Sequence, residues 1–355
     1  MSGSRPTLEA VAAHAGVSRA TVSRVVNGGA GVRGEVQARV TASIEELGYV
    51  PNRAARSLVT RRTGAVAVVI AEPETRVFAD PFFAQQLRGI SRELSRQDIQ
   101  LLLLLVEQRA DYERIGRYLS GGHVDGALMF SLHHDDPLPA MVADSRLPTV
   151  FGGRPGWVGA EDHERGGGPL YVDTDNVDGA RQATRHLLER GQRRVAVITG
   201  PLDQTSAQDR LSGYRQALTD AGLSYDESLV ARGGFTAVGG EKAMATLLDR
   251  RPDLDAVFAC NDLMASGALR TLRARGRRLP EDVAVVGYDN LDSAVDWSEP
   301  ALTTVNQDVE EMGRMMAQLL LRLLEAGGGN TGGREDSTEL RPVITPARLV
   351  VRDST

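Results

Sequence analysis

The chain has 355 residues, a net charge of −6 and one cysteine, Cys260. A single cysteine excludes a disulfide framework and makes a reducing compartment the expected location, while the length allows two or three structural units. No apolar run precedes Thr7 and none is long enough to span a membrane, so we expect a cytoplasmic protein without membrane contact.

The segment from Thr7 to Asn27, TLEAVAAHAGVSRATVSRVVN, predicts two short helices joined by a tight turn. Thr7 and Ser18 stand where the helices begin and are suitable N-caps, and Gly16 supplies the turn. The exposed side of the second helix carries short or basic side chains, namely Arg19, Ala20, Ser23 and Arg24. A helix of this kind, braced by another, fits the major groove of DNA.

Charge is distributed unevenly along the chain. Residues 1–62 contain nine arginines, four glutamates and no lysine or aspartate, a charge of +5, which leaves −11 for the remainder. A small basic segment on an acidic body indicates attraction to phosphate at that segment. The charge therefore favours DNA binding over the alternative reading, an ordinary helical hairpin with solvated arginines.

A third helix is marked by Val36, Val40 and Ile44, and the sequence around its end reads ELGYVPNRAARSL. Together with AGVSRATVSRVVN, this motif resembles the LacI/GalR family of transcription regulators. The resemblance implies a helix-turn-helix DNA-binding domain over residues 1–50 and a hinge helix with its linker over 51–62. It implies an effector-binding and dimerisation domain over 63–355.

Side-chain chemistry suggests how the first domain reads DNA. Arg19 suits a guanine edge, Ala20 a thymine methyl group, and Arg24 is a second candidate for base contact. Thr21 and Asn27 suit phosphate contacts. The expected DNA-binding residues are Thr7, Ser18, Arg19, Ala20, Thr21, Ser23, Arg24, Asn27, Asn52, Ala55 and Leu58.

The hinge segment Arg53–Val59 is about two helical turns long, and helices shorter than ~12–15 residues are marginal in water. We expect it to need DNA and a second copy of itself to hold its shape. The resemblance implies that Leu58 is a wedge in the minor groove, on a hinge that begins near Asn52 and includes Ala55. Two paired hinge helices require a homodimer and a nearly palindromic operator of double-stranded DNA.

From Gly64 onward, short apolar strands alternate with amphipathic helices, which predicts parallel sheets with right-handed crossovers. Strands are predicted at Ala65–Ile70, Gln100–Val106, Gly126–Phe130, Thr149–Phe151, Val195–Thr199, Ala256–Ala259 and Val283–Val286. These are too many for one open sheet, so we expect an α/β body of two doubly wound lobes.

The resemblance implies periplasmic-binding-protein-like lobes joined by three crossings, which we place near residues 172–176, 301–306 and 335–342. The first lobe would then hold residues 63–173 and 305–335, and the second 174–304 and 336–355.

Ligands of doubly wound sheets bind beyond the carboxyl ends of the strands. Ser131 follows the third predicted strand and Arg154 the fourth. Other strands are followed by Asp, Asn and Gln, whose donors and acceptors suit vicinal hydroxyls, and by aromatic residues with flat faces for sugar rings. This mixture indicates a polyol ligand rather than a phosphate or a metal.

The family motifs identify further candidates. GPL…S…R…G(W/Y) matches Gly200 to Tyr214 and implies that Arg210 is the principal ligand clamp; the AND element reads Cys260-Asn261-Asp262, with cysteine in place of alanine. The complete expected effector-binding set is Phe82, Phe83, Ser131, Arg154, Arg210, Phe235, Asn261, Asp289 and Gln307.

Four of these assignments have structural alternatives. Asp289 would otherwise be a strand-end cap. Phe82 and Phe83 would otherwise be core residues, and Arg210 a surface arginine.

The resemblance is closest to the actinobacterial sugar-responsive branch with its cellobiose-type repressors, through stretches such as NRAARSLVTRRTGAVAVVI and EDVAVVGYDN. It implies a nucleoid-associated repressor of carbohydrate utilisation genes, released by a β-linked di- or oligosaccharide such as cellobiose. A nucleobase or nucleoside effector, or a corepressor, is the alternative within regulators.

Two other classes of protein are less consistent with the sequence. A solute-binding protein would need an export signal, and an enzyme would need a paired acid and base or a phosphate loop. The run His133-His134-Asp135-Asp136 looks like a metal cluster, but adjacent residues do not readily share one tetrahedral site. We therefore expect no enzyme activity, no cofactor and no metal.

Overall fold

The computed structural model describes residues 6–26, 31–50, 62–159, 168–291, 299–328 and 340–355. The chain divides after Gly64 into two compact units, of which the first is helical. Its described helices are α1 (Leu8–Ala15), α2 (Arg19–Val26) and α3 (Gly34–Leu47).

Capping and burial define the three-helix unit. Thr7 caps α1 by accepting a hydrogen bond from the Ala10 amide, and Gly16 ends it with φ +62°, a conformation that favours glycine. The three helices enclose a small core of Val11, Ala12, Ala15, Val22, Val40 and Tyr49. The predicted cap at Thr7 and the predicted turn at Gly16 are thus present.

The second unit contains two six-stranded sheets, each with helices on its faces. Its described strands are β1 (Ala65–Ile70), β2 (Gln100–Leu105), β3 (Gly126–Phe130), β4 (Thr149–Gly152), β5 (Leu170–Thr174), β6 (Val195–Thr199), β7 (Val230–Arg232), β8 (Ala256–Ala259), β9 (Ala284–Asp289), β10 (Thr303–Asn306), β11 (Val343–Thr345) and β12 (Arg348–Val350). Its described helices are α4 (Glu74–Ala79), α5 (Pro81–Ser95), α6 (Arg109–Ser120), α7 (Leu138–Ser145), α8 (Asn176–Glu189), α9 (Thr205–Asp220), α10 (Ala237–Arg250), α11 (Asp262–Ala274) and α12 (Val309–Gly328).

The first sheet has the order β11-β5-β4-β3-β1-β2, and all of its strand pairs are parallel. The second has the order β12-β10-β9-β8-β6-β7, with only the β10–β12 pair antiparallel. Central strands such as β3 and β6 are buried along their whole length, as parallel strands covered on both faces require. The predicted α/β architecture of two doubly wound lobes is confirmed.

The crossings between the lobes differ from the prediction. β10 pairs with β9, so the second crossing follows Asn306, and β11 pairs with β5, so the third lies between Thr345 and Arg348. The predicted third crossing at 335–342 and the start of the second lobe at 336 are therefore wrong. Strand β11 was not predicted, because its three residues are too few to show the alternation of apolar and polar residues that marks a strand. Among the described residues, the first lobe holds 65–159, 168–174, 309–328 and 340–345, and the second holds 176–291, 299–306 and 348–355.

Helix α12 returns to the first lobe and packs closely against α5. A Cβ atom on Gly89 would lie 1.9 Å from the Glu310 carbonyl oxygen, and one on Gly313 would lie 2.2 Å from the Gln86 carbonyl oxygen. Glycine at both positions allows the two helix backbones to approach. This packing fixes α5, whose amino end reaches the cleft between the lobes.

Candidate functional site

The recognition surface of the three-helix unit is the outer side of α2. Ser18 caps this helix, since its Oγ accepts from the Thr21 amide at 3.2 Å and lies 2.9 Å from the Thr21 Oγ1. Arg19, Ala20 and Arg24 are exposed, while Val22 is buried and fixes the helix on the core. The basic face is therefore available to DNA.

Arg19 already has an anionic partner within its own unit. Its Nε lies 3.0 Å from a carboxylate oxygen of Glu9 on α1, and both side chains are mostly exposed. Exposed pairs of this kind contribute little to stability, so DNA can displace Glu9 at small cost. Of the remaining predicted DNA-binding residues, Thr7 and Ser23 are described, and the following lie outside the described residues: Asn27, Asn52, Ala55 and Leu58.

The second unit contains a cavity between its two lobes, at the carboxyl ends of the strands. Its volume is about 880 Å³ including the part open to solvent. All nine predicted effector-binding residues line it: Phe82, Phe83, Ser131, Arg154, Arg210, Phe235, Asn261, Asp289 and Gln307. The structure thus brings together residues that are up to 225 positions apart in the sequence.

The first-lobe wall is largely aromatic. Phe83 stacks on Phe130 with ring centroids 6.1 Å apart and meets Phe82 edge to face at 5.5 Å. Phe83 is only 2% exposed, so it is a core residue and a wall residue together. Asp80 caps α5 by accepting from the Phe82 amide at 3.0 Å, and burial raises the pKa of its carboxyl to about 6.

The second-lobe wall is built around Arg210, which is buried rather than a surface arginine. Its Nε donates to Asn176 Oδ1 at 2.9 Å and its Nη1 to the Cys260 carbonyl at 2.5 Å. The guanidinium lies 3.7 Å from the ring centroid of Tyr288 and its Nη1 is 3.6 Å from Asp289 Oδ1. Arg210 is therefore held rigidly by contacts on several sides.

Asp289 joins the clamp to the crossing between the lobes. Its Oδ1 accepts a hydrogen bond from Gln307 Nε2, and the Gln307 Oε1 accepts one from the Thr174 hydroxyl at 3.3 Å. Burial raises the pKa of Asp289, and the positive charge of Arg210 opposes that rise. The carboxylate is thus more than a strand-end cap, because it connects Arg210 to the first two crossings.

Three wall residues have a backbone conformation that side chains other than glycine seldom adopt. Ser131 has φ +59°, Phe235 φ +58° and Asp289 φ +111°. Such strain persists only where surrounding structure holds it, and it is commonest at binding sites. The Phe235 ring is also held by Gly200, where a Cβ atom would lie 2.2 Å from it.

Comparisons with known proteins agree with this geometry. The model of bacterial regulatory proteins of the lacI family matches residues 7–52, and the model of a periplasmic binding protein-like domain matches residues 184–355. The HTH-type transcriptional regulator CelR of Thermobifida fusca is 50% identical over 350 residues, which cover 99% of this chain and 98% of CelR. The chain belongs to the LacI family.

Solved structures of LacI-family regulators have the same fold over nearly the whole chain. A transcriptional regulator CelR–cellobiose complex matches with a TM-score of 0.76 and 48% identity, covering 99% of this chain and 100% of that one. The lac repressor dimer bound to operator and the anti-inducer ONPF matches with a TM-score of 0.81 and 26% identity, covering 99% of each. As a LacI-family member, the chain is a DNA-binding transcription regulator and not an enzyme.

The two lobes of this LacI-family body are joined by an ion pair beside the cavity. Arg154 Nη2 donates to both carboxylate oxygens of Asp209, at 2.8 and 2.7 Å, and Arg154 Nη1 donates to the Val158 carbonyl at 2.6 Å. The guanidinium of Arg154 is thus engaged with protein groups, although the residue lines the cavity. Its position suits closure of the lobes better than direct contact with a ligand.

A second bridge between the lobes involves His133. Its Nδ1 lies 2.8 Å from Asp203 of the second lobe, and its Nε2 lies 3.6 Å from Glu72 of the first. Gln204 Nε2 donates to the same Glu72 carboxylate at 3.0 Å. The carboxylate of Glu72, followed by that of Asp203, favours the protonated imidazole and raises the pKa of His133 to about 9. The His-His-Asp-Asp run thus supplies a contact between the lobes.

Several wall residues were not predicted from the sequence: Arg76, Asp80, Gln86, Asp173, Asn176 and Gln204. Asp80 stands directly before Pro81, and an aspartate followed by a proline is the usual signature of a helix N-cap. This signature is the signal in the sequence that could have identified Asp80. The others face the cavity only through tertiary packing.

Within the described ranges, no group of His, Cys, Asp or Glu side chains is arranged to hold a metal ion. None of the described helices is long and apolar enough to cross a membrane.

Proposed function

We propose that this regulator is a repressor of carbohydrate utilisation genes whose effector is a β-linked di- or oligosaccharide such as cellobiose. The observation that carries the proposal is the cavity itself, which combines phenylalanine faces with carboxylate, amide and guanidinium groups. It lies in the cleft between the two lobes, and small-molecule sites occur preferentially at interfaces of this kind. The cellobiose complex of the CelR relative supports the same ligand class.

The polar groups of the cavity suit a saccharide in particular. Arg210 is a fixed cluster of donors, whereas Asp289 is an acceptor when ionised and Asn261 offers both. Phe83 and Phe235, on opposite lobes, present apolar rings that suit the C–H faces of a pyranose. The mixture of carboxyl, amide and guanidinium groups matches the donors and acceptors of a neutral polyol, which we therefore favour.

Binding and DNA release would be coupled by closure of the lobes. In this proposal a homodimer binds a palindromic operator at the nucleoid in the cytoplasm, using the α2 face and a hinge that contains Asn52, Ala55 and Leu58. A saccharide favours one closed arrangement, and the paired hinges lose their register on the DNA. A coupling of ~1–3 kcal/mol would change operator affinity about 5–150-fold.

Two measurements on the full-length protein test the proposal. A thermal-shift screen of β-linked disaccharides, monosaccharides and purines identifies the effector class, because a ligand at 100 times its Kd adds ~2.7 kcal/mol. A mobility-shift assay on operator DNA with and without cellobiose then gives the sign of the coupling. Stabilisation by a purine alone, or tighter operator binding with cellobiose, would replace the proposal by a nucleobase effector or a corepressor respectively.

The hinge is tested separately by Leu58→Ala. We expect this change to weaken operator binding while leaving the affinity for cellobiose unchanged, because Leu58 would contact only DNA. Equal loss of both affinities would contradict the proposed role of the hinge.

A further inference from the structure

Two polar atoms in the first-lobe wall are buried and have no hydrogen-bond partner in the part of the chain that the structure describes. They are Oε1 of Gln86 and Nε of Arg76, and both residues line the cavity. Gln86 is only 1% exposed, and the Arg76 side chain is 15% exposed. Buried polar groups are nearly always paired, because leaving one unpaired destabilises the protein. What sets these two atoms apart from the other unpaired atoms of the described residues is that their residues line the cavity, so a ligand there could pair with them.

Both residues are near Phe83, one through its place on the same helix and the other through its guanidinium. Gln86 follows Phe83 by one helical turn on α5, so the two share a face of that helix. The Arg76 guanidinium is 5.8 Å from the ring centroid of Phe83 and 5.7 Å from that of Phe235 on the opposite lobe. The two residues are thus placed near the aromatic faces that suit a sugar ring.

Both side chains are held in place by their other atoms. Gln86 Nε2 contacts the sulfur of Met316 on α12 at 3.2 Å, where α5 and α12 pack most closely. Arg76 Nη1 lies 2.6 Å from Glu72 Oε1. A binding group whose rotamer is fixed before the ligand arrives loses little entropy on binding.

We propose that Gln86 Oε1 and Arg76 Nε are hydroxyl-binding groups of the cavity, each of which recognises a hydroxyl group of the sugar effector. The inference rests on the saccharide effector proposed above. One hydroxyl donates to Gln86 Oε1, and another accepts from Arg76 Nε–H. A site built to pair with a hydroxyl rejects an analogue that lacks it, because its own polar group is then left unpaired. These two groups therefore set specificity for the hydroxyl pattern of the effector.

The substitution Gln86→Met gives a signature that a purely structural residue would not give. Methionine has a similar shape but no acceptor, so the ligand-free protein loses a buried unpaired atom and its melting temperature stays the same or rises. Cellobiose affinity falls about 5- to 100-fold, because a sugar hydroxyl is now left without its acceptor. A structural glutamine would show the reverse, a lower melting temperature with little change in affinity.

The experiment is calorimetric titration of the full-length protein with cellobiose and with a set of monodeoxy-cellobioses. Wild type is expected to bind at least one deoxy analogue much more weakly than cellobiose, and Gln86→Met to lose that particular discrimination. Gln192→Met is the matched control, because Gln192 Oε1 is also buried with no partner among the described residues but lies outside the cavity. Arg76→Lys keeps a charge for Glu72 and removes Nε–H, so discrimination at a second hydroxyl is expected to disappear.

The outcomes separate this inference from the proposed function. If wild type binds neither cellobiose nor the other saccharides of the screen, both are overturned. If wild type binds cellobiose and the Gln86→Met and Arg76→Lys variants keep its affinity and discrimination, the role of these two groups is overturned and the saccharide effector stands. Should Gln86→Met not fold, Arg76→Lys with the deoxy set gives the same decision.

Discussion

Arg154 of the first lobe and Asp209 of the second form a bidentate ion pair, with Nη2–oxygen distances of 2.8 and 2.7 Å, next to the cavity. Both side chains are largely buried, at 12% and 20% exposure, so solvent screens the pair only in part. The backbone amide of Arg154 also binds Asp173 Oδ2, and its carbonyl accepts from the Thr205 hydroxyl. The loop after β4 is therefore fastened to the second lobe through α9.

We expect Asp209→Asn to weaken cellobiose binding about 10- to 100-fold, the range for loss of a charged hydrogen bond worth ~1.5–3 kcal/mol. The reason is that the ion pair favours the closed arrangement of the lobes. The affinity for a ligand held between the lobes is proportional to the fraction of the protein that is closed. Calorimetric titration measures the change. Asp220→Asn is the control, since Asp220 pairs with Arg181 inside the second lobe at 3.0 Å. Equal losses in the two variants would contradict a role in closure.

A pH dependence follows from His133. Its pKa is about 9 in this structure, against an ordinary value of about 6.5, because Glu72 and then Asp203 favour its protonated form. The stabilisation that it adds is fully present below about pH 6.5 and is lost as the pH rises through about 9. The histidine is about one-third exposed, so the effect is modest.

Melting temperatures between pH 6.5 and 9 measure this effect. The wild-type value is expected to fall more steeply than that of His133→Gln. Burial also raises the pKa of Asp289, but this contribution is common to both proteins and cancels in the comparison. Asp80 and Asp173, with pKa values of about 6, are mostly ionised throughout the interval. Parallel curves would show that His133 does not join the lobes through its charge.

Substitutions of Arg210 are expected to change protein stability and cellobiose binding to different extents, depending on the residue that replaces it. Arg210→Ala leaves Asp289 buried without its cationic neighbour, which is expected to destabilise the protein by about 3–5 kcal/mol. Arg210→Lys keeps the charge but loses the planar fork that reaches Asn176 and the Cys260 carbonyl. Denaturant unfolding should therefore show a smaller loss for lysine, while titration shows that both variants bind cellobiose at least ten-fold more weakly. If Arg210→Lys bound cellobiose with the affinity of the wild type, the proposed role of Arg210 as the principal ligand clamp would be contradicted.

Residues that line the cavity could be predicted from the sequence where polar side chains stand at or just after the end of a strand. Ser131, Arg154, Asn261 and Asp289 stand at or just after strand ends, and parallel strands place those ends together. The motifs therefore identified one wall of each lobe without any knowledge of long-range packing.

What the sequence did not predict depends on contacts between distant segments. Gln86 faces the cavity because α5 packs on α12, and its amide meets a sulfur atom 230 residues away. The Glu72–Gln204 hydrogen bond spans 132 residues. No local periodicity encodes such pairings. Phe83 shows the remaining difficulty, since a residue that is both core and wall has the same pattern as one that is core alone.

The last prediction concerns the DNA-binding face. Arg19→Ala should weaken operator binding and relax specificity at one base pair, because a bidentate arginine–guanine contact is worth ~1–3 kcal/mol of discrimination. Glu9→Gln is its matched control, since it removes the partner that holds the Arg19 Nε at 3.0 Å and leaves the arginine itself. Mobility shifts on operators substituted at each position measure how much each base pair matters for binding. For Arg19→Ala, the preference at one base pair should disappear. For Glu9→Gln, all base preferences should stay the same, with equal or tighter binding. A uniform loss across all operators in Arg19→Ala would mean that this arginine contacts phosphate instead of a base.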